Sequence, residues 1–170
     1  YGRQSINRDD IKSVNKVLKS DFITQGPKID EFEKKVAHYV GSKYAVAVSS
    51  ASAGLHLSCL AYNLNKKSNL ITSPITFVST ANAGKHCGSK IFFSDIDLNT
   101  INLDPICLEN KLKNNKEKNL VIPVHFAGLG CDMKNINKLR KKYNFDIVED
   151  ASHALGAKYP SGEKVGCCKY

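Results

Sequence analysis

The sequence lacks an apolar run close to the ~20 residues that a helix needs to cross a bilayer. It also lacks an initiator methionine and a signal-peptide core at its start, which reads Tyr-Gly-Arg-Gln. We therefore expect a cytoplasmic protein with no membrane partner. Neither end looks like a natural terminus, so we expect a fragment.

Cysteine and histidine do not occur in metal-binding patterns. None of the 6 cysteines belongs to a C-x-x-C pair, and the 5 histidines show no ligand spacing beside them. Without a secretory signal, the cysteines are interpreted as reduced thiols, mostly buried. The sequence therefore predicts no metal site.

The basic charge lacks the pattern of a nucleic-acid-binding protein. The formal net charge is +9, but the lysines are spread over predicted helix surfaces and turns, and aromatic residues do not interleave them. No helix-turn-helix, RNP or zinc-finger signature is present. We expect a solvated surface that helps attract phosphorylated ligands, and no nucleic-acid partner.

Short β-branched runs alternate with helical patterns along the 170 residues, without an internal repeat or a linker. This alternation predicts an α/β fold with three α/β/α layers and a mostly parallel sheet. The predicted strands are 44–49, 69–72, 90–94, 119–124 and 146–149. The predicted helices are 8–19, 29–39, 53–60, 79–86, 105–113 and 134–143.

Capping residues support several helix boundaries. Asp104 precedes a proline suited to the first helical position, and Asp132 can cap the helix that follows it. Gly41 suits the end of helix 29–39. That helix is amphipathic, and we expect its apolar face to lie on a core.

The first candidate site segment is Ser-Ser-Ala-Ser-Ala-Gly-Leu-His, residues 49–56. A predicted strand ends there in small hydroxyl residues and a helix follows, an arrangement that can form a phosphate cup. Neither the Walker pattern nor G-x-G-x-x-G is present. A serine N-cap without a ligand explains this segment equally well.

The second segment, residues 72–80, places Phe77 just after a proline-terminated strand. Phe77 can stack on a flat heterocycle or can be an ordinary core residue.

In the third segment, residues 145–154, an apolar strand runs into Glu149 and Asp150 and then His153. A buried carboxylate needs a cation or strong donor, so Asp150 is a candidate partner for a protonated ring nitrogen. It can instead cap the next turn.

Together these segments resemble the DegT/DnrJ/StrS family of sugar aminotransferases, which are fold-type I pyridoxal-phosphate enzymes. The resemblance covers essentially the whole chain. It also includes Asp-Phe-Ile-Thr-Gln-Gly-Pro at 21–27 and Pro-Val-His-Phe-Ala-Gly at 123–128.

The resemblance implies a role for each site residue. Ala51 and Ser52 would hold the phosphate of pyridoxal 5′-phosphate, and Phe77 would stack on its ring. Asp150 would pair with the ring nitrogen, and His153 would lie near the phenolic oxygen. Thr24 and His125 would lie near the substrate.

The motifs His-Phe-Ala-Gly and Ala-Ser-His-Ala are most similar to the branch of the family that acts in pseudaminic acid biosynthesis. The implied reaction transfers an amino group from glutamate to C4 of a UDP-linked 4-keto-6-deoxy sugar. The resemblance also implies a homodimer whose active site borrows residues from the partner subunit.

Residues 1–170 would form only part of the large, cofactor-binding domain, without the small C-terminal domain. The family's Schiff-base lysine would lie beyond Tyr170, so we expect no catalytic residue in this chain and no turnover by the chain alone. Lys164 and Lys169 come too early in the pattern to replace that lysine.

Three alternatives stay open at this point. A sugar dehydratase of the same fold would carry histidine in place of the missing lysine. A nucleotide-binding domain without this cofactor predicts a glycine-rich turn that is absent. A non-catalytic relative predicts loss of the cofactor residues, yet Ser52, Phe77 and Asp150 are chemically competent.

Overall fold

The computed structural model describes residues 3–115, 117–167 and 169. Contacts divide the chain into two units: residues 1–39 with 43–47, and residues 40–42 with 48–170. No helix among the described residues is long and apolar enough to cross a membrane.

The first unit contains α1 (Arg8–Leu18) and most of α2 (Pro27–Val40). Asn7 begins α1 with a capping box: its side chain accepts from the N–H groups of Asp9 and Asp10, and the Asp10 carboxylate accepts from the Asn7 N–H. Every described residue of α1 is at least partly exposed. Capping, rather than packing, therefore defines this helix within its unit.

The apolar face of α2 is only partly covered. Ala37 and Val40 are buried, whereas Ile29, Phe32 and Tyr39 are exposed by 44%, 58% and 47%. The expectation that the whole face lies on a core is therefore wrong for Ile29, Phe32 and Tyr39. Gly41 follows with φ +83°, as a glycine that ends a helix does.

The predicted strand at 44–49 does not form. Tyr44 and Val46 are exposed by 74% and 77%, and no strand is assigned to the segment. The N–H of Ala47 donates to the Glu33 carboxylate at 2.7 Å instead of to a neighbouring strand. A strand is stable only with a partner, and this segment has none among the described residues.

The second unit contains a parallel sheet in the order β2-β1-β3-β4. Its elements, in chain order, are α3 (Ala51–Ala61), β1 (Ser68–Thr72), α4 (Val78–His86), β2 (Lys90–Phe93), α5 (Pro105–Lys113), β3 (Lys118–Ile122), α6 (Met133–Tyr143) and β4 (Asp146–Ile147).

Two apolar cores lie on opposite faces of this sheet. Ile71 and Val121 pack on one face with residues of α5 and α6, including Leu108 and Ile136. Alternating residues of the same strands pack on the other face with α3 and α4. The three-layer α/β/α fold with a parallel sheet is confirmed.

Local chemistry sets the boundaries of these helices as predicted. Asp104 accepts from the Ile106 N–H at the start of α5, and Pro105 occupies its first turn. Asp132 accepts from the Asn135 N–H at the start of α6. Inside α4, Gly84 lets the helix approach β1 closely, since a Cβ there would lie 2.6 Å from Leu70 Cδ1.

Candidate functional site

The carboxyl ends of β3 and β4 continue as a loose ladder beyond the strands themselves. Val124 and Asp150 form a parallel bridge. The His125 N–H donates to the Asp150 carbonyl at 3.0 Å, and the Asp150 N–H donates to the Pro123 carbonyl at 2.9 Å. Asp150 is thus fixed at the sheet edge where open α/β folds bind ligands.

The Asp150 carboxylate is buried, with 6% of the residue exposed, and three donors reach it. Thr80 Oγ1 donates to Oδ2 at 2.8 Å, while the Oγ and N–H of Ser152 donate to Oδ1 at 2.6 and 3.3 Å. The bonds from Ser152, two residues away, are those of a carboxylate that caps the next turn. The bond to Thr80 crosses to another element, so capping alone does not describe this carboxylate.

The hydroxyl of Thr80 has a definite direction. Thr76 Oγ1 and Thr80 Oγ1 lie 2.7 Å apart. The Thr80 hydroxyl donates its one hydrogen to Asp150 Oδ2, so it accepts from the Thr76 hydroxyl. The two hydroxyls form a hydrogen-bonded chain that ends on Asp150. Successive hydrogen bonds in such a chain polarise and strengthen one another.

Ser52 lies at the start of α3, where Ser50 is the N-cap and accepts from the Ala53 N–H at 3.2 Å. Ala51 and Ser52 are exposed in the first turn. Ser52 Oγ donates to Ser79 Oγ, in the first turn of α4, at 2.7 Å. The amino ends of the two helices are therefore joined through these hydroxyls.

Phe77 is the N-cap residue of α4 and is 73% exposed. The alternative that it belongs to the core is therefore wrong. Its carbonyl accepts from the Thr80 N–H at 3.1 Å, so its ring is one helical turn from the residue that contacts Asp150. An exposed aromatic face in this place is available for stacking.

One turn of α4 thus connects three of the predicted site residues, Ser52, Phe77 and Asp150. Ser79 contacts Ser52, and the next residue, Thr80, contacts Asp150. Phe77 begins the same turn. The arrangement offers hydroxyls and helix amides for an anion, an aromatic face for a ring, and a carboxylate for a cationic N–H.

His125 is buried, with 1% of the residue exposed. Its Nε2 lies 2.8 Å from Glu149 Oε2, and its Nδ1 accepts from the Cys131 N–H at 3.1 Å. Tyr159 also donates to Glu149 Oε2. Any role of His125 near the substrate would therefore act through these partners rather than by direct contact.

His153 is exposed, and its backbone lies against the turn that follows His125. A Cβ on Gly128 would lie 3.0 Å from the His153 carbonyl, and Gly128 has φ +88°. The Gly128 N–H in turn donates to the His125 carbonyl at 3.1 Å. Glycine at 128 therefore permits the close approach of the two histidine segments.

Thr24 belongs to the first unit and is exposed. Its place near the substrate stays a prediction.

Sequence reasoning did not single out Ser79, Thr80, Ser152 or Tyr159 as site residues. The available signal was the pair of hydroxyl residues that follows Phe77 and Val78, on the first turn of a helix that comes after a strand. The partners of these hydroxyl residues depend on how the helices pack on the sheet, and this packing cannot be predicted from a single sequence.

A separate cavity of about 630 Å³ lies on the α5 and α6 side of the sheet. Its lining includes Leu103, Met133 and Tyr159 but not Ser52, Phe77 or Asp150. Among the described residues, no group of three or more histidine, cysteine, aspartate or glutamate side chains could hold a metal ion.

Comparison with known proteins gives a consistent result. A relative in Campylobacter jejuni (serotype O:23/36, strain 81-176), a UDP-4-amino-4,6-dideoxy-N-acetyl-beta-L-altrosamine transaminase, is 41% identical over 167 residues, which are 98% of this chain and 44% of that protein. The Bacillus subtilis spore coat polysaccharide biosynthesis protein SpsC is 40% identical over 159 residues, 94% of this chain and 40% of that protein. The structure of Helicobacter pylori PseC, an aminotransferase of pseudaminic acid biosynthesis, superposes with a TM-score of 0.85 at 33% identity, covering 95% of this chain and 43% of PseC.

The chain thus spans less than half the length of the curated relatives that it matches. The family model for DegT/DnrJ/EryC1/StrS aminotransferases matches residues 4–169. The chain belongs to the DegT/DnrJ/EryC1/StrS aminotransferase family.

Proposed function

We propose that the protein containing this chain is a sugar-nucleotide aminotransferase, and that the chain is part of its large domain. The observation that carries the proposal is the first turn of α4, which contacts Ser52 through Ser79 and Asp150 through Thr80. This turn contacts both the candidate anion cup and the buried carboxylate, and the exposed aromatic residue Phe77 begins it.

The cofactor is pyridoxal 5′-phosphate, and the residues present fit it. Asp150 is a buried carboxylate whose described hydrogen bonds come from the neutral donors of Thr80 and Ser152, so a protonated ring nitrogen would complete its environment. Phe77 presents a face to the ring, and Ala51 and Ser52 offer N–H and hydroxyl donors to the phosphate. His153 would lie near the phenolic oxygen.

When bound, the cofactor accepts the electron pair released as a carbon–hydrogen bond of the substrate breaks. Asp150 holds the proton at the ring nitrogen that makes this possible. Thr80 and Ser152 orient the carboxylate, because they donate to it and leave its remaining lone pairs for the nitrogen.

We assign the substrate as a UDP-linked 4-keto-6-deoxy sugar of pseudaminic acid biosynthesis, with glutamate as amino donor. The names of the Campylobacter and Helicobacter relatives support this choice. A cytoplasmic location, a role in cell-surface polysaccharide synthesis and a homodimeric assembly belong to the same proposal, as does a place for Thr24 near the sugar.

The lysine that carries the cofactor would follow Tyr170, and the remaining chain would supply the small domain and a partner strand for residues 44–49. The chain as given would then bind cofactor weakly and not turn over. Steady transamination by residues 1–170 alone would contradict this part of the proposal.

The test uses the complete protein with glutamate and the UDP-linked keto sugar, followed by mass spectrometry. An amino sugar and 2-oxoglutarate in equal amounts are the expected products. A deoxygenated keto sugar would identify a dehydratase instead. A colourless protein that gains no absorption band with pyridoxal phosphate would overturn the assignment altogether.

A further inference from the structure

Glu149 and Asp150 are consecutive but face opposite sides of the sheet. The preceding residues show the alternation: Ile147 packs against the core shared with α5 and α6, and Val148 against the core shared with α3 and α4. Glu149 continues the first side and meets Tyr159, which belongs to that core. Asp150 continues the second side and meets Thr80 of α4.

The contacts of His125 fix its tautomer. A backbone N–H can only donate, so the bond from Cys131 makes Nδ1 an acceptor without a proton. The ring proton is therefore on Nε2, which donates to Glu149 Oε2 at 2.8 Å. A second proton on Nδ1 would face the amide hydrogen of Cys131, so the imidazole in this arrangement is neutral and the bond to Glu149 is not an ion pair.

Tyr159 supplies a second donor to the same carboxylate oxygen. Burial, followed by the hydrogen bond to Glu149, raises the pKa of the Tyr159 hydroxyl above its ordinary value. The hydroxyl therefore stays protonated and continues to donate. Glu149 is held by two neutral donors, with only 16% of its side chain exposed.

This cluster is coupled to Asp150 through the backbone. The residue that carries the imidazole, His125, also donates its N–H to the Asp150 carbonyl. The carboxylate that the imidazole binds belongs to the residue directly before Asp150. Side-chain and backbone bonds therefore close a loop around the peptide that joins the two acids.

We propose that Glu149, held by His125 and Tyr159, is a positioning residue that directs the Asp150 carboxylate toward the ring nitrogen of the cofactor. The cluster acts from the face of the sheet away from the cofactor. This inference rests on the proposed function, because it requires a ligand with a ring nitrogen at Asp150.

The test measures binding of two ligands to the complete apoprotein by fluorescence or calorimetry. One ligand is pyridoxamine phosphate, which forms no imine with a lysine. The other is its carbocyclic analogue, in which CH replaces the ring nitrogen. The ratio of the two affinities reports the contact between Asp150 and the ring nitrogen, because a general disturbance of the site would weaken both ligands equally.

Tyr159→Phe removes only the hydroxyl that holds Glu149. We expect it to weaken pyridoxamine phosphate binding about threefold to tenfold, which is less than the loss of a direct hydrogen bond to a charged group because Tyr159 acts on Asp150 only through Glu149, and to change binding of the analogue less than about twofold. The matched control is Tyr143→Phe, which removes a 2.8 Å bond from a tyrosine to Glu109 at the surface and should change neither affinity.

Equal weakening of both ligands by Tyr159→Phe would mean a merely structural role and would overturn the inference, as would no weakening of either. If Tyr159→Phe does not fold, Glu149→Gln provides the same comparison with the side-chain size retained, and the same selective loss is expected. Failure of the wild-type protein to bind pyridoxamine phosphate would instead refute the proposed function.

Discussion

Replacing Thr80 with valine tests the hydroxyl chain that ends on Asp150. Thr80 is fully buried (0% exposed), and valine keeps its shape while removing the donor to Asp150 Oδ2. A hydrogen bond to a charged group is worth about 1.5–3 kcal/mol when its loss leaves the charge buried without that partner. We therefore expect Thr80→Val to lower the free energy of unfolding by about 1.5–3 kcal/mol.

A matched control is available in β1. Thr72 is also fully buried, and its Oγ1 donates to the Ile122 carbonyl at 2.8 Å, a neutral acceptor. Thr72→Val should cost about 0.5–1.5 kcal/mol, as for an ordinary hydrogen bond. Thr80→Ser keeps the hydroxyl and should lose much less than Thr80→Val.

The assay is urea unfolding of the complete apoprotein, in which a shift of the midpoint at constant slope reports a change in stability. Combining Thr80→Val with Asp150→Asn in a double-mutant cycle should give a coupling energy of about 1 kcal/mol or more, since the two side chains touch. If Thr80→Val costs no more than Thr72→Val, or if the cycle shows no coupling, the Thr80 hydroxyl does not stabilise the Asp150 carboxylate.

Further predictions concern packing, thiol reactivity and pH. Gly84→Ala should destabilise the protein, because overpacking against Leu70 costs about 1–3 kcal/mol and exceeds the gain of about 1 kcal/mol in helix propensity; thermal unfolding measures this. Burial raises the pKa of the Cys131 thiol to about 12, so iodoacetamide at pH 8 should label it only after unfolding, as peptide mass mapping would show. A hydrogen bond from Lys142 and a second one from Tyr143 lower the pKa of Glu109 below its ordinary 4.5. The interaction therefore contributes stability above that pH and loses it as the pH falls, and Glu109→Gln should flatten the acid limb of the stability curve.

Most of the fold was predictable because local signals and tertiary structure agree. The aspartates before α5 and α6 cap those helices in the structure as their sequence positions indicate. Each apolar run at 69–72, 90–94, 119–124 and 146–149 contains a strand. Such agreement is expected where propensity, capping and burial favour the same outcome.

The segment at 44–49 shows where sequence reasoning does not suffice. Its β-branched residues favour a strand, but a strand also needs a neighbour, and the Ala47 N–H binds Glu33 instead. The exposed apolar face of α2 has the same explanation. A periodic pattern of apolar residues predicts that a helix face favours burial, but it does not predict which element covers that face.

The candidate site was predictable in its separate parts but not in its connections. Small hydroxyl residues, an aromatic and an acid at strand ends identified Ser52, Phe77 and Asp150. The residues that join them, Ser79 and Thr80, meet partners 27 and 70 positions away in the chain. Such long-range pairing follows from how α4 lies on the sheet.

In the proposed site, the first turn of α4 also sets the spacing between the contact at Ser52 and the contact at Asp150. Its contacts to Ser52 and Asp150 come from adjacent residues, whose separation along the helix axis is about 1.5 Å and does not vary with loop conformation. The backbone positions from which Ser79 reaches Ser52 and Thr80 reaches Asp150 are therefore set by helix geometry. In the proposed site, a ligand has to match that spacing between its phosphate and its ring nitrogen.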